Sequence, residues 1–437
     1  MNRITIFRLA ILFSVSVLFT ACDNDDEMEP TDPMGPDASF LASSVDALGD
    51  VSLDGFTIPT TYDLAGAFAP GVYSGQTRRL AQLQEIVDSS RNEPIFWDLK
   101  AALINENEDK FQSPDAQGNS NIRTKIDELN YDGDIGAVDQ SVADAFGEMA
   151  DRLTKSSQAN FTVTASNGTA GMITTGSKKR HVDANGLEFI QLLEKGLYGA
   201  MCYDQMVDDY LRPSQSGAEN GKGNNESAAG TDYASKGTDR QHRFDEVFGY
   251  LGANPLTYPN PSNTSNGDGV FIANYTFDFS DETEDAFGIN IAEKLMDAFL
   301  FGRSVLKAGE GFGPNDESVN EAYYEAARAD IKLYTELGLA TASYHYLNLA
   351  IDDVTDEDKI HHLSEALAFI YALSFNSEGR LTASEAHDVL QTMGWSSSDA
   401  SLNGVYDINL WEVTDAQMQS AKDLLDRSYP GFGALPF

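Results

Sequence analysis

Cysteine is scarce in this chain of 437 residues, which contains only Cys22 and Cys202. Two cysteines cannot build the disulfide framework that stabilises small secreted domains. A chain of this length buries enough apolar surface to fold without such bridges. Cys202 lies in an apolar stretch, where a cysteine usually behaves as a small buried hydrophobic residue. Cys22 is therefore the cysteine for which we expect a chemical role.

Basic residues are also few. The sequence has 29 lysines and arginines against 69 aspartates and glutamates, and its formal net charge is −40. Such an acidic surface repels the phosphates of nucleic acids and anionic membrane surfaces, so we exclude nucleic acid as a partner. The same charge keeps a protein soluble and attracts cations. Charge alone does not distinguish these two consequences.

Several catalytic signatures are missing. The sequence contains no His-Glu-x-x-His zinc motif, no Gly-x-Ser-x-Gly nucleophile elbow, no Walker loop and no dinucleotide fingerprint. It has three tryptophans, so large platforms for stacking on sugars are few, but its 18 tyrosines leave glycan binding open. These absences favour a non-enzymatic role without deciding whether the chain is an enzyme.

The amino terminus has the pattern of a bacterial lipoprotein signal. Two arginines precede an uncharged apolar run over residues 9–19. The end of this run overlaps the sequence Leu-Phe-Thr-Ala-Cys at residues 18–22. The run is too short to span a bilayer stably, which favours cleavage. We predict a lipoprotein signal peptide at residues 1–21 and attachment to the lipid bilayer through a lipidated Cys22. The alternative is an ordinary signal peptide followed by a chance cysteine.

An acidic cluster and three prolines follow Cys22. This composition is typical of a disordered tether, which we place at residues 22–50. An acidic cluster directly after the lipid-bearing cysteine also resembles the surface-export signal of Bacteroidota lipoproteins, with a plain solvated tether as the alternative. We expect residues 51–437 to form a single domain. The predicted location is the outer membrane, facing either the periplasm or the cell surface.

Helical periodicity dominates the chain from residue 76 onward, where apolar residues recur at spacings of three and four. Residues 319–351 predict one long helix, and a capping box at Thr382 predicts the start of another. We therefore predict an all-α fold. The helices are expected to form a multi-helix array, either as one unit or as two packed helical bundles.

Strand signals are sparse. The runs 161–164 and 171–174 flank Asn167-Gly168, a pattern that predicts a small β-hairpin. Residues 270–279 are compatible with a strand or a loop. Two stretches rich in small residues or prolines, 213–239 and 254–269, predict long surface loops.

Two histidines are followed by carboxylates at helical spacing. His242 precedes Asp245 and Glu246, and His362 precedes Glu365. Residues three or four apart share one face of a helix, so an imidazole and a carboxylate placed there can reach the same metal ion. Iron, zinc or another divalent metal would suit these ligands. The alternative is a structural hydrogen bond within each pair.

Two further details concern these candidates. His361 and His362 are adjacent and cannot both face the interior, and we favour His362 because it shares a face with Phe369. Glu188 lies in the most hydrophobic helical stretch, where a carboxylate needs a partner. We include Glu188 among the candidate metal ligands, with structural pairing to a nearby arginine or lysine as the favoured alternative.

Four phrases together resemble a known family. They are YSGQTRRLAQLQEI (73–86), NGLEFIQLLEKGLYGAMCYDQM (185–206), HRFDEVFGYLG (242–252) and HLSEALAFIYALSFN (362–376). They resemble the Bacteroidota lipoproteins of domain-of-unknown-function family 4856, from about Tyr62 to the carboxyl terminus. That family tends to have a tryptophan where Phe244 stands. Because the family is functionally uncharacterised, the resemblance implies fold and context more than chemistry.

A more distant resemblance concerns the imelysin-like proteins, which are helical and carry a Gly-x-His-x-x-Glu motif. His362-x-x-Glu365 matches the second half of that motif, but Ile360 stands where the glycine is expected. The family context implies partners such as an outer-membrane receptor or an imelysin-like lipoprotein. It favours a non-enzymatic lipoprotein that assists iron, haem or other metal acquisition. A glycan- or nutrient-binding lipoprotein is the alternative, and an imelysin-like metallopeptidase is the weaker one.

Overall fold

The computed structural model describes residues 39–53, 55–90, 94–95, 111–126, 142–213, 216, 233–259, 269–309, 319–395 and 407–437. The predicted signal peptide 1–21, Cys22 and residues 23–38 of the tether lie outside the described residues. So do most of the predicted loop 213–239 and residues 260–268 of the second loop. Within the described part of the chain, no helix combines the length and apolar character needed to cross a membrane.

The described residues are mainly helical and include one two-stranded hairpin, which confirms the all-α prediction. The α-helices are α1 (Ser74–Ser90), α2 (Arg123–Ile126), α3 (Val142–Asn160), α4 (Phe189–Leu197), α5 (Tyr233–Lys236), α6 (Asp239–Leu251), α7 (Ile272–Asp278), α8 (Ser280–Phe287), α9 (Ile291–Ala308), α10 (Glu321–Asp352), α11 (Asp356–Leu373), α12 (Ala383–Thr392) and α13 (Asp415–Ser428). The strands are β1 (Gly171–Thr175) and β2 (Lys178–Val182).

Helix α10 lies at the centre of the fold and corresponds to the long helix predicted at 319–351. It packs against α9 on one side and α11 on another, and α11 packs in turn against α4. Both α10 and α11 bury residues around most of their circumference, as expected for helices in the interior of a large domain. Several helix starts, among them α6, α9, α10, α11 and α13, are fixed by side-chain caps, and α12 begins at the predicted capping box at Thr382.

The hairpin is shifted from its predicted position. Strand β1 pairs with β2 through a tight turn at Gly176, whose φ of 57° suits a residue without a Cβ. Residues 161–164 contribute only an isolated bridge between Thr164 and Met172. The prediction missed β2 because its sequence, Lys-Lys-Arg-His-Val, lacks apolar alternation. This correction matters, since β2 carries the basic residues of the site described below.

Two further predictions need correction. Residues 270–279 were expected as a strand or a loop, but Ile272–Asp278 forms helix α7. The tether was expected to extend to residue 50, but its described part is folded. Leu41 is buried, and Asp330 of α10 accepts hydrogen bonds from Ser43 Oγ (2.7 Å) and from the backbone N–H of Val45 (2.9 Å). A buried carboxylate needs such donors, which explains the docking.

Candidate ligand-binding site

A polar cavity of about 510 Å³ lies between β2, α4, the start of α7 and α11. We call it the polar cavity. Its size falls in the range of about 300–1,000 Å³ that is usual for small-molecule sites. Its walls carry charged, amide and tyrosine side chains, including Gln191, Tyr198, Asn274 and Tyr275.

Five buried ionisable side chains form a continuous network at the floor of this cavity. The imidazole of His361 lies between two carboxylates, with Nδ1 at 2.8 Å from Glu188 Oε2 and Nε2 at 3.2 Å from Glu365 Oε2. Lys195 Nζ continues the chain, at 3.1 Å from Glu365 Oε1 and 2.9 Å from Glu194 Oε2. Acidic and basic groups therefore alternate, which is how buried charges are compensated. We call these five residues the charge network.

Neighbouring groups hold the network in place. Arg180 Nη1 donates to Glu188 Oε1 at 3.2 Å, and Tyr198 OH donates to Glu194 Oε1 at 2.9 Å. Ser364 Oγ accepts the backbone N–H of Glu188 at 3.1 Å, which ties the start of α4 to α11. These bonds fix the carboxylates in one geometry, as a preformed binding site requires.

The charges of the network follow from these contacts. Burial raises the pKa of Glu188, but the hydrogen bond from His361 and the charge of Arg180 outweigh burial and hold this pKa below its usual value. Burial lowers the pKa of Lys195, but Glu194 and Glu365 outweigh it and raise this pKa above its usual value. Glu188 is therefore anionic and Lys195 cationic at neutral pH, despite their burial.

Strand β2 gives the rim of the cavity a basic character. Lys178 and Lys179 are exposed, and Arg180 is partly buried against Glu188. In the described part of the chain, neither lysine forms an ion pair. With Lys195, the cavity wall carries four cationic side chains against three carboxylates. This excess of cations stands out in a chain whose formal net charge is −40.

A rare backbone geometry borders the cavity. Helix α4 continues directly into two π-helical segments, Tyr198–Tyr203 and Gln205–Tyr210. Such i→i+5 segments are uncommon and frequently occur at functional sites. The first of them begins at Tyr198, whose side chain lines the cavity and bonds Glu194. The π-helical geometry therefore begins at a cavity wall.

The structure brings two of the predicted metal-site residues to this cavity, namely Glu188 and Glu365. His362 is not with them. The expectation that His362 faces the interior is wrong, because His361 is the buried histidine and His362 Nδ1 instead pairs with Asp353 Oδ2 at 2.7 Å. The reasoning failed because α11 is buried on nearly all sides, so that Phe369 does not define a single inward face.

The other three predicted residues lie elsewhere and point in different directions. Asp245 is fully buried and accepts hydrogen bonds from Tyr62 OH and Arg303 Nε, both at 2.8 Å. Glu246 pairs with Arg243 at 2.8 Å, and its distance to His242 Nε2 is 3.8 Å. Asp245 thus stabilises the interior, while Glu246 belongs to a partly exposed ion pair. Their spacing on α6 does not bring them to one point.

The described residues do not provide a metal centre. Across the ranges that the structure describes, no group of three or more histidine, cysteine, aspartate or glutamate side chains is placed to hold a metal ion. At His361 the reason is visible, because Glu188 and Glu365 occupy opposite nitrogens of the ring. The ring separates the two carboxylates, whereas a metal ion would need all three ligands to converge.

Sequence reasoning missed four residues of the site: His361, Lys195, Glu194 and Arg180. The alternative of pairing Glu188 with a nearby arginine or lysine included Lys195 but gave it no place in a site. The usable signal was Glu194-Lys195, two charged residues within the most apolar helix. Charges on a helix that is buried on all sides must meet other charges, and this pointed to a network between helices.

Comparison with known proteins agrees with the resemblance noted in the sequence. The model of the family described as a domain of unknown function, DUF4856, matches residues 60–425. The match covers most of the chain, so the chain belongs to this family. No curated protein and no solved structure was found to match it.

Proposed function

We propose that this member of the DUF4856 family is a lipoprotein of the cell envelope, without enzymatic activity, that binds an anionic small ligand in the polar cavity. Through this binding it would assist uptake at the outer membrane, in cooperation with an outer-membrane receptor or an imelysin-like lipoprotein. The observation that carries the proposal is the excess of cationic side chains in the cavity of a strongly acidic chain.

Electrostatics supports an anionic ligand. The three carboxylates of the cavity already have partners: Arg180 and His361 bond Glu188, and Lys195 pairs with Glu194 and Glu365. The rim lysines Lys178 and Lys179 remain to attract a ligand. A cleft lined by one sign of charge raises the local concentration of the opposite charge. The surrounding acidic surface would disfavour anions elsewhere, which concentrates binding at this site.

The proposed role in metal acquisition takes a particular form at this site. A bare cation would need converging lone pairs, which the described residues do not supply. A metal held by a polycarboxylate chelator is an anion and suits the rim lysines. We therefore propose that iron or another metal would be bound as an anionic chelate.

The two alternatives receive less support. A metallopeptidase needs three protein ligands and an open position on the metal, and no such group exists among the described residues. A flat glycan-binding platform needs exposed aromatic rings. The strongly exposed large hydrophobic side chains of the described ranges are all aliphatic. A nutrient-binding role therefore fits best in the cavity and not on a flat surface.

Titration calorimetry on residues 36–437, which form one compact unit, tests the ligand class. The probes are citrate, ferric citrate and the neutral sugar glucose. We expect both anions to bind, and the double variant Lys178→Gln/Lys179→Gln to weaken binding at least tenfold. The matched control is Lys155→Gln/Lys359→Gln, which removes the same charge outside the cavity. Equal losses in both variants, or preference for glucose, would overturn the proposal.

The anchoring is tested separately by labelling cells with radioactive palmitate. We expect the full chain to take up label and to sediment with the outer membrane. Cys22→Ala should abolish both, whereas Cys202→Ala, at the buried free cysteine, should change neither. Label retained in Cys22→Ala would disprove lipidation at this residue.

A further inference from the structure

A second concave region adjoins the polar cavity. This apolar groove has a volume of about 320 Å³ and lies between α1, the end of α6 and the start of α7. Its walls are mainly hydrocarbon, with Leu80, Ala81 and Pro255 among them. Two regions of opposite character thus occur side by side on one surface.

The two regions share part of their walls. Gln84, Val270 and Phe271 line both the polar cavity and the apolar groove. Val270 is 43% exposed, so its side chain is accessible where the two regions adjoin. A charged region and an apolar region therefore adjoin at these three side chains.

Phe271 has a strained backbone at this junction. Its φ is 56° and its ψ is −120°, and it is the single non-glycine residue with positive φ in the described ranges. This conformation is energetically unfavourable for an L-residue. Such strain persists where the surrounding structure enforces it, often where a protein holds a ligand. The ring of Phe271 packs 5.2 Å from that of Tyr198, centroid to centroid, which holds it in the wall.

We propose that the ligand is an amphiphile, with its anionic head in the polar cavity and its apolar body in the apolar groove. This inference rests on the proposed function and specifies its ligand class. The rim lysines Lys178 and Lys179 would meet the head, Gln84 would lie at the junction, and Val270 with Ala81 would contact the apolar body. A purely polar ligand would occupy the polar cavity alone, and a purely apolar one would occupy the groove alone. An amphiphile occupies both regions across the side chains that they share.

The test compares three small probes by titration calorimetry on residues 36–437, below their aggregation concentrations. Octanoate carries both a head and a tail, butyrate carries the same head with a short tail, and 1-octanol carries the same tail without charge. Each buried CH₂ contributes to affinity through the hydrophobic effect. We expect octanoate to bind at least tenfold more tightly than either butyrate or octanol.

Variants separate the two ends of the site. Ala81→Phe fills the apolar groove and should reduce octanoate affinity at least tenfold while leaving butyrate unchanged. Thr77→Phe, at an exposed position of the same groove, is a second groove-filling variant that replaces Ala81→Phe if that variant misfolds. Ala416→Phe, at an exposed position on α13, is the matched control and should have no effect.

The outcomes distinguish this inference from the proposal on which it rests. Equal affinities for octanoate and butyrate, both reduced in Lys178→Gln/Lys179→Gln, would overturn the amphiphile and retain the anionic ligand. Equal affinities for octanoate and octanol, unaffected by the lysine variant, would overturn both. Octanoate binding that none of the groove variants changes would show that the tail lies elsewhere and would overturn the inference.

Discussion

Two clusters of buried charge in this molecule differ in what they face. Asp245 and Arg303 are both fully buried and meet only protein: Arg303 Nε lies 2.8 Å from Asp245 Oδ1, and Arg303 also donates to the carbonyl of Phe68 at 3.0 Å. The charge network around Lys195 and Glu365 is also buried, but all its members except His361 line the polar cavity.

The comparison shows that burial of charge does not by itself indicate function. Both clusters contain residues that the sequence marked as candidate metal ligands, Asp245 in one and Glu188 with Glu365 in the other. The second cluster has a cavity beside it, with room for a ligand. A carboxylate with a shifted pKa or a charged partner therefore becomes a candidate for ligand binding when it lines a cavity.

The largest expected effect comes from breaking the buried ion pair between Arg303 and Asp245. Arg303→Leu leaves the carboxylate of Asp245 buried without its cation, and we expect a loss of about 3–5 kcal/mol in the free energy of unfolding. Urea denaturation measures this loss. The double variant Arg303→Leu/Asp245→Leu should recover part of it, since no uncompensated charge remains.

The matched change in the charge network sharpens the comparison. Lys195→Met leaves Glu194 and Glu365 with Tyr198 and His361 as partners, beside a cavity that admits water. Its cost should be lower, about 1–2 kcal/mol. If Lys195→Met lowered the free energy of unfolding as much as Arg303→Leu does, a neighbouring cavity would make no difference to a buried charge cluster, and the comparison would fail.

A pH-dependent effect is expected at Asp204, a partly buried carboxylate that lies between the two π-helical segments. Burial, with a contribution from Asp208 and Asp209, raises the pKa of Asp204 to about 7, although Gln205 and Arg212 oppose this. The folded state therefore binds more protons than the unfolded state between about pH 4 and pH 7, so stability falls as the pH rises through that window.

Asp204→Asn removes the titrating group and should flatten this dependence. The variant should gain about 1–3 kcal/mol over the parent at pH 8 and almost nothing at pH 4. Urea denaturation at the two pH values measures the difference, with the exposed Asp388→Asn as the control. A gain that is equal at both pH values would show that Asp204 is not the titrating group.

Sequence periodicity predicted the helices well, because the spacing of apolar residues reflects burial directly. The long helix α10 and the capping box at Thr382 are examples. The site was harder to predict. Spacing within α11 selected Glu365 but paired it with His362, whereas its contacts are His361 on the same helix and Lys195 on α4, which only tertiary packing brings to it.

Strand β2 shows a second limit of sequence reasoning. Lys178 and Lys179 have no apolar alternation around them, and their pairing with β1 depends on the turn at Gly176. A basic stretch in an acidic protein was visible in the sequence. Its position over a cavity depends on the packing of the hairpin against the helices, which no local pattern encodes.

The docking of residues 43–45 onto Asp330 limits the length of the tether between lipid and domain in the proposed lipoprotein. The described residues begin at Ser39, and the stretch from Cys22 to Ser39 can span at most about 60 Å. That span bounds how far from the bilayer a lipid-anchored domain could meet a receptor. Because Asp330 belongs to α10, a pull on the anchor would reach the central helix directly through these hydrogen bonds.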